Sequence, residues 1–214
     1  MENFLIIETS TPAASLALAD ESGITVEKSF TSDRRHNAAL FVPLEEMVSG
    51  NDSGKFTVIL VGSGPGSYSG TRVGIAVAQG AALVSGCRAV AIPSILAVAE
   101  ALSGKPCLAV GDARRGRYWV AEISNGMLIG APELTDGAGL VSAIQKAEGC
   151  GTAVFCMEPI MGQNIRVSSP SAAGLWSAWK TVDEATRQLW AGRIPQPIYL
   201  KPPHITPSKK EVFG

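Results

Sequence analysis

The residues best suited to binding chemistry lie in a glycine-rich stretch from Val61 to Gly74, with five glycines in fourteen positions. An apolar run at 57–61 precedes it and predicts a buried strand, and the uncharged segment 73–85 that follows predicts a helix. A strand, a glycine-rich loop and a helix N-terminus together present backbone N–H groups that can hold phosphate or another anion. A tight turn that simply needs glycine is an equally good interpretation, because isolated glycine-rich turns are weak evidence.

Three common templates for such a loop do not match. The loop lacks the Gly-Lys-Ser/Thr of a Walker-type P-loop, and its glycines are not spaced as in a dinucleotide-binding fingerprint. Tyr68 stands where a nucleophile elbow requires serine. Only two histidines exist, His36 and His204, and sequence alone pairs neither with a serine.

The composition describes a rather apolar globular chain. It has 214 residues, 46% hydrophobic and 17% charged residues, and a net charge of −1. This balance argues against a protein that grips nucleic acid by itself through a broad basic face. The arginine clusters at 34–35 and 114–117 are interpreted as solvated loop charges, with a contact role kept open for the turn at 112–116.

Cysteine usage and the N-terminus predict a cytoplasmic location. The four cysteines show no C-x-x-C spacing, which favours buried free thiols in a reducing compartment over zinc ligands or disulfides. The chain enters an apolar strand directly, without a basic segment or a cleavage site. The longest uncharged helical candidate is too short for a membrane span.

The first half of the chain predicts one lobe, residues 1–104. Strands near 4–7, 15–19 and 24–30 alternate with turns and predict an antiparallel meander rather than a βαβ unit. A helix over 37–48 follows, with Pro43 expected to kink it or shift its start. The other predicted elements are a strand at 57–61, a helix at 70–85, a strand at 89–92 and a helix capped by Ser94 that runs to 102.

The second half, residues 105–214, predicts a second, smaller or degenerate lobe with a proline-rich tail. Asn125-Gly126 is a strong hairpin signal after the strand 118–123. The remaining predicted elements are a strand at 106–110, a turn at 112–116, helices at 139–148 and 171–180, a strand at 153–156 and an irregular tail from Gly192.

The helix after the glycine-rich loop is apolar on all faces, which predicts that more than one of its faces is covered. Gly74, Ala78 and Ala81 are small enough to let another helix approach closely. The cover is either the second lobe or a subunit interface. We favour the interface, with the helix that contains Leu40 and Leu44 as its companion.

Several blocks of this sequence resemble the bacterial TsaB family, formerly called YeaZ. The most specific block is Gly-Pro-Gly-Ser-Tyr-Ser-Gly-Thr-Arg-Val-Gly at 64–74, and the match extends from near the N-terminus to Tyr199-Leu200. The other blocks are Ile6-Ile-Glu-Thr-Ser-Thr11, Ala14-Ser-Leu-Ala-Leu18, His36 followed by Leu40 and Pro43, Asp112-Ala-Arg-Arg-Gly116 and Pro197-Ile-Tyr-Leu200.

The resemblance implies an α/β, actin-like (ASKHA, ribonuclease H-like) fold of two lobes, with mixed sheets that open in an antiparallel meander. It also implies a non-catalytic subunit that activates the TsaD-type paralogue. In that family TsaD transfers threonylcarbamoyl from its adenylate to the adenosine beside the anticodon of tRNAs that read codons starting with A. A TsaE-type ATPase joins the complex, tRNA is reached only through it, and the TsaB subunit alone forms a homodimer.

The resemblance also suggests site residues. No catalytic or metal-binding residue is expected, because TsaD-type proteins use a paired histidine, whereas here His36 is followed by Leu40 at the second histidine position. No cofactor is expected to bind tightly, and ATP or ADP would bind only at the assembled complex. Weak nucleotide contacts are assigned to Glu8, Thr9, Ser10, Gly64, Gly66 and Ser67, and the partner interface to His36, Leu40, Leu44, Met47, Gly70, Arg72, Gly74, Ala78 and Ala81.

Two alternatives stand beside this reading. The first is an actin-like small-molecule kinase or ATPase that grips phosphates with the loop at 64–70. The second is a peptidase, which is hard to build without a histidine pair to hold a metal.

Overall fold

The structure is a computed structural model that describes residues 2–31, 37–49 and 55–200. His36, one of the predicted interface residues, lies outside this part of the chain. The described residues form two mixed sheets, with helices between them and on their outer faces.

The first sheet opens with the predicted antiparallel meander and has the strand order β3-β2-β1-β4-β5. β4 and β5 then add in parallel to β1, which makes the sheet mixed. The strand bounds are β1 (Asn3–Glu8), β2 (Ala13–Asp20), β3 (Gly23–Thr31), β4 (Val58–Gly62) and β5 (Arg88–Ile92).

The second sheet has the order β11-β10-β6-β7-β8, with β9 paired to β7. Its β7–β8 turn contains Asn125 and Gly126, both at positive φ, as the hairpin signal predicted. The strand bounds are β6 (Cys107–Arg114), β7 (Arg117–Ser124), β8 (Met127–Leu128), β9 (Glu133–Thr135), β10 (Ala153–Cys156) and β11 (Arg166–Val167).

Six helices occur in the described part of the chain. Pro43 lies in the first turn of α1, after a 3-10 turn at Asn37–Leu40, so proline shifts the helix start as expected. The helix bounds are α1 (Phe41–Ser49), α2 (Tyr68–Ser85), α3 (Ala99–Leu102), α4 (Gly137–Gly149), α5 (Ala172–Thr181) and α6 (Glu184–Ala191). None of the helices in the described ranges is long and apolar enough to cross a membrane.

Strand alternation sorts the apolar side chains into three cores. In β1, Leu5 and Ile7 face α1 and α2, whereas Phe4 and Ile6 face the layer between the two sheets. A third core lies between the second sheet and α4, around Leu140. Because successive side chains of a strand point to opposite faces, one apolar strand serves two cores.

The last two helices, which follow residue 104, return to contact the first sheet. The Trp176 ring on α5 packs edge-on against Phe4 of β1, with ring centroids 4.7 Å apart. The Ala172 N–H donates to the Ser15 hydroxyl of β2 at 2.8 Å, and α6 contacts β5. The second sheet begins near residue 105, but α5 and α6 cover the first sheet.

The helix predicted from Ser94 to 102 is not continuous. A 3-10 turn covers Ser94–Leu96, Val98 is extended, and α3 is a single turn. The Ser94 hydroxyl does not cap this helix, because it accepts the N–H of Gly64 at 3.0 Å. The predicted turn at 112–116 is also shorter than expected, since β6 continues to Arg114.

We predict that α5 contributes to the core shared by the two sheets, whereas the exposed face of α6 does not. Leu175→Ala removes a fully buried side chain and should lower the free energy of unfolding by about 2–5 kcal/mol. Leu189→Ala is the matched control, because Leu189 is 52% exposed, and should have little effect. Urea unfolding followed by tryptophan fluorescence measures both, and equal losses would contradict this packing.

Candidate functional site

The glycine-rich loop joins β4 to α2 at the edge of the first sheet. β4 ends at Gly62, and α2 begins at Tyr68 with Ser67 as its N-cap. The Ser67 hydroxyl accepts the N–H of Gly70 at 3.3 Å. The local sequence therefore produces the predicted strand, loop and helix N-terminus.

The glycines of this stretch allow close packing against the turn between β1 and β2. A Cβ on Gly66 would overlap the carbonyl oxygen of Ser10, and a Cβ on Gly70 would overlap that of Thr9. The Thr9 hydroxyl in turn donates to the Gly70 carbonyl at 2.9 Å. These glycines are needed because two backbone segments lie in direct contact.

Most of the backbone N–H groups that could hold an anion are already engaged within the protein. The N–H of Ser67 donates to the Ser10 carbonyl at 2.6 Å, and the N–H of Ser63 donates to the Ile92 carbonyl at 2.8 Å. The N–H groups of Gly64 and Thr71 are held by the Ser94 hydroxyl and the Ser67 carbonyl. The loop is therefore mainly a structural contact, which favours the second of the two sequence interpretations.

A fully buried carboxyl group, Glu8, lies beneath the loop. Its Oε1 accepts the N–H of Ser10 at 2.6 Å, and the Ser94 hydroxyl also lies close to the carboxyl group. A Cβ on Gly62 would overlap Oε2, so β4 passes directly over the carboxyl group. Burial raises the pKa of Glu8, and the hydrogen bonds to Ser10 offset this only in part.

The residues assigned to weak nucleotide contacts do not form one site. Glu8, Thr9 and Ser10 are each at most 3% exposed and lie under the loop, where a ligand could not reach them in this conformation. Gly66 and Ser67 face an open cleft. Gly64 is not part of the lining of that cleft.

This cleft, with a volume of about 950 Å³, lies between the loop and the β6–β7 hairpin. The loop and the first turn of α2 form one wall, and the end of β6 with Trp119 forms another. Residues 157–159 and the chain at 197–200 complete the lining. The two sequence blocks of the resemblance at 64–74 and 112–116 therefore meet across one cavity.

Two exposed tyrosines and an arginine line this cleft. Tyr68 is 66% exposed and Tyr199 is 53% exposed, and their ring centroids are 6.5 Å apart. Arg72 lies over the Tyr68 ring, with its Cζ 5.0 Å from the ring centroid, and also donates to the Tyr68 hydroxyl. The segment 195–200 contacts the first lobe, since the N–H of Ile198 donates to the Ser63 carbonyl at 2.9 Å.

The hairpin wall carries a second arginine. The Arg114 guanidinium pairs with Asp112 at 3.2 Å, with 61% of the arginine side chain exposed. Arg114 and Arg115 adopt positive φ values of 69° and 58°, where a side chain is disfavoured. The sequence left a contact role open for this turn, but it gave no signal for Trp119 or residues 157–159.

Most described residues of the predicted partner interface are buried or half-buried. Leu40, Met47 and Ala78 are at most 3% exposed and pack in the core between α1, α2 and the first sheet. Gly70 and Gly74 face the β1–β2 turn, and Leu44 and Ala81 are half-buried against the same core. Of the predicted set, Arg72 is the one described residue that is exposed.

Other apolar side chains occupy the outer surface of these two helices. We define the α1–α2 patch as the exposed apolar residues Phe41, Val42, Val48, Leu83 and Val84. Leu83 and Val84 are 84% and 80% exposed. Sequence reasoning missed Leu83 and Val84 because the uncharged segment 73–85 gives no contrast from which to choose its outward face.

Metal and thiol chemistry find little support in the described residues. No group of three His, Cys, Asp or Glu side chains in those ranges is placed to hold a metal ion. All four cysteines are free, and Cys107 and Cys156 are buried as predicted, whereas Cys150 is exposed. Burial and then the charge of Glu100 raise the pKa of the Cys107 thiol to about 11, which keeps it protonated.

Comparison with protein families gives one match over more than half of the chain. Residues 27–149 match the family described as "TsaD: tRNA N6-adenosine threonylcarbamoyltransferase". The chain is also 31% identical over 125 residues to the tRNA threonylcarbamoyladenosine biosynthesis protein TsaB of Escherichia coli K12. That alignment covers 55% of this chain and 53% of the relative, so the chain spans about half the length of the curated relatives it matches.

Two solved structures from Pseudomonas aeruginosa share the architecture. A protein described as similar to the peptidase YeaZ has a TM-score of 0.69 and 21% identity, and YeaZ itself has a TM-score of 0.65 and 20% identity. Both matches cover 94% of this chain and all of the other chain. Together with the two mixed sheets, these likenesses confirm the predicted actin-like fold.

We predict that Glu8 makes stability depend on pH. Because its folded-state pKa is raised above the ordinary 4.5, the unfolded chain ionises first as pH rises. The wild-type protein should then lose about 1.4 kcal/mol of unfolding free energy per pH unit until the folded-state pKa is reached. Glu8→Gln carries no such ionisation, so its stability relative to wild type should rise with pH. Urea unfolding of both proteins across this pH range tests the prediction. A difference in unfolding free energy that does not change with pH would show that Glu8 is already ionised.

We predict that the same substitution at two glycines of α2 has opposite effects on the free energy of unfolding. Gly70→Ala places a methyl group against the Thr9 carbonyl and should lower the free energy of unfolding by about 1–3 kcal/mol. A Cβ on Gly80 meets nothing within 4 Å, so Gly80→Ala should raise it by about 1 kcal/mol through helix propensity alone. Thermal unfolding of both variants decides, and a stabilised Gly70→Ala protein would contradict the close contact with the β1–β2 turn.

Proposed function

We propose a function for this chain on the basis of its family. It belongs to the tRNA N6-adenosine threonylcarbamoyltransferase family, in its TsaB (YeaZ) branch. The proposed function is that of a non-catalytic subunit, which activates a TsaD-type paralogue in the biosynthesis of tRNA threonylcarbamoyladenosine. In this complex the paralogue transfers threonylcarbamoyl from its adenylate to the adenosine beside the anticodon of tRNAs that read codons starting with A.

The observation that carries this proposal is the α1–α2 patch. Five large apolar side chains on these helices are between 44% and 84% exposed. Exposed large apolar side chains favour a contact with a partner, because their contact with water is unfavourable. The other side of the same helices packs on the first sheet, so the patch is held on a rigid support.

The occupant we propose for the patch is the TsaD-type paralogue, with a second copy of this chain when the paralogue is absent. The names of the relatives support this choice, since TsaB proteins are described as tRNA threonylcarbamoyladenosine biosynthesis proteins. A TsaE-type ATPase would join the assembled complex, which we place in the cytoplasm.

The buried loop supports a role without catalysis by this chain alone. The side chains that an actin-like kinase would use for phosphate and magnesium, Glu8, Thr9 and Ser10, are enclosed under the loop. No acidic or histidine cluster in the described ranges offers a metal site. ATP or ADP would then be bound only at the assembled complex, and no observation favours the kinase alternative.

We predict that a charge on the patch weakens assembly without unfolding the chain. Leu83→Glu and Val84→Glu each place a carboxylate on an exposed helix position that a partner would desolvate. We expect the affinity for the TsaD-type paralogue of the same organism to fall by about tenfold or more. Light scattering on a sizing column, for the chain alone and mixed with the paralogue, measures the complexes.

Two variants serve as controls for this experiment. Ile129→Glu changes a residue of the second lobe that is 57% exposed and should leave assembly unchanged. Ala78→Glu changes a fully buried residue of the same helix and should unfold the chain. If wild type forms no complex with the paralogue, even with the TsaE-type ATPase and ATP, the proposed function is wrong. If Leu83→Glu and Val84→Glu both assemble normally, the partner binds elsewhere.

A further inference from the structure

The β6–β7 hairpin and the glycine-rich loop belong to different halves of the chain, yet both line the same 950 Å³ cleft. The five residues of the α1–α2 patch belong neither to the hairpin nor to the cleft lining. A concave space of this size fits a small molecule or a single nucleotide, whereas a protein partner usually requires a flatter and larger contact.

The side chains at the cleft combine aromatic rings with guanidinium groups. Tyr68 and Tyr199 are more than half exposed although their rings are large and apolar. Arg72 already lies against the Tyr68 ring, and Arg114 extends from the opposite wall. Tyrosine rings stack on nucleic acid bases, and arginine binds phosphate through paired N–H donors.

The charge balance of the cleft distinguishes between kinds of nucleotide. The charged residues of its lining are two cations, Arg72 and Arg114, and two anions, Asp112 and Glu158. A free di- or triphosphate carries several negative charges, which this neutral lining balances less well than a single charge. A phosphodiester carries a single negative charge. Arg72 and Arg114 can balance this charge, although Arg114 already pairs with Asp112.

We infer that this cleft binds one unpaired nucleotide of an RNA strand. The base packs on Tyr68 and Tyr199, and the phosphodiester is held by Arg72 and Arg114. The high exposure of both tyrosines leaves the cleft open for the strand to enter and leave. The inference rests on the proposed function in one respect, since that function supplies RNA as the substrate.

The test is binding of a short fluorescein-labelled single-stranded RNA to the full chain at low salt, followed by fluorescence anisotropy. Arg114→Gln should weaken binding by about fivefold or more, and Tyr199→Leu should do the same through lost base stacking. Arg117→Gln is the matched control, because it removes the same charge from an exposed position of the same hairpin outside the cleft. It should change the affinity by less than about twofold.

Competition identifies the source of the nucleotide. Unlabelled single-stranded RNA should compete, whereas AMP and a fully paired RNA duplex should compete at least about tenfold more weakly. Equal competition by AMP would overturn the RNA assignment in favour of a free nucleotide. Equal losses for Arg114→Gln and Arg117→Gln would show general attraction to charge, and no binding by wild type would also overturn the inference.

Two readouts separate this inference from the proposed function. Thermal unfolding checks that Arg114→Gln and Tyr199→Leu remain folded, which their exposed positions favour. The sizing column checks that both variants still assemble with the TsaD-type paralogue. Assembly without RNA binding refutes only the cleft site, and RNA binding without assembly refutes only the proposed function.

Discussion

The contact between the glycine-rich stretch and the β1–β2 turn is the constraint on which the rest of the structure depends. Gly66 and Gly70 bring the loop and α2 against the backbone of Thr9 and Ser10, with no space for a Cβ. The contact fixes where α2 begins, and therefore which of its faces packs on the first sheet. It also encloses Glu8, whose burial is a direct consequence of the path of β4.

This arrangement changes the meaning of a motif that at first suggests phosphate chemistry. In an anion-binding loop the free N–H groups point toward a ligand. Here the N–H groups of Ser63, Gly64 and Ser67 bind oxygen atoms of the protein itself. The same glycines that could have admitted a phosphate instead admit a second stretch of backbone, and the outer surface of the loop becomes a cleft wall.

The two lobes share one continuous apolar core. α5 returns from the second half of the chain to pack on the first sheet, and Trp176 and Phe4 meet in the layer between the sheets. A chain segment near Tyr199 then closes one side of the cleft. Both lobes contribute to this core, and the α1–α2 patch shares no residue with the cleft lining.

Sequence alone determined the local elements and the family. The apolar run of β1 and the alternation in β2 predicted the meander, Asn125-Gly126 predicted the β7–β8 hairpin, and the block at 64–74 identified the family, because these signals depend on neighbouring residues. The helix α6 escaped prediction, although Asp183, which caps it, was a usable signal.

Tertiary structure alone decided which faces are buried. The segment 73–85 of α2 carries no charged residue, so periodicity could not show that Ala78 faces the core while Leu83 faces outward. Tertiary structure also decided that Arg114 and Tyr68, 46 positions apart in the sequence, line one cleft. Such long-range meetings depend on the packing of whole elements, and no local pattern of residues records them.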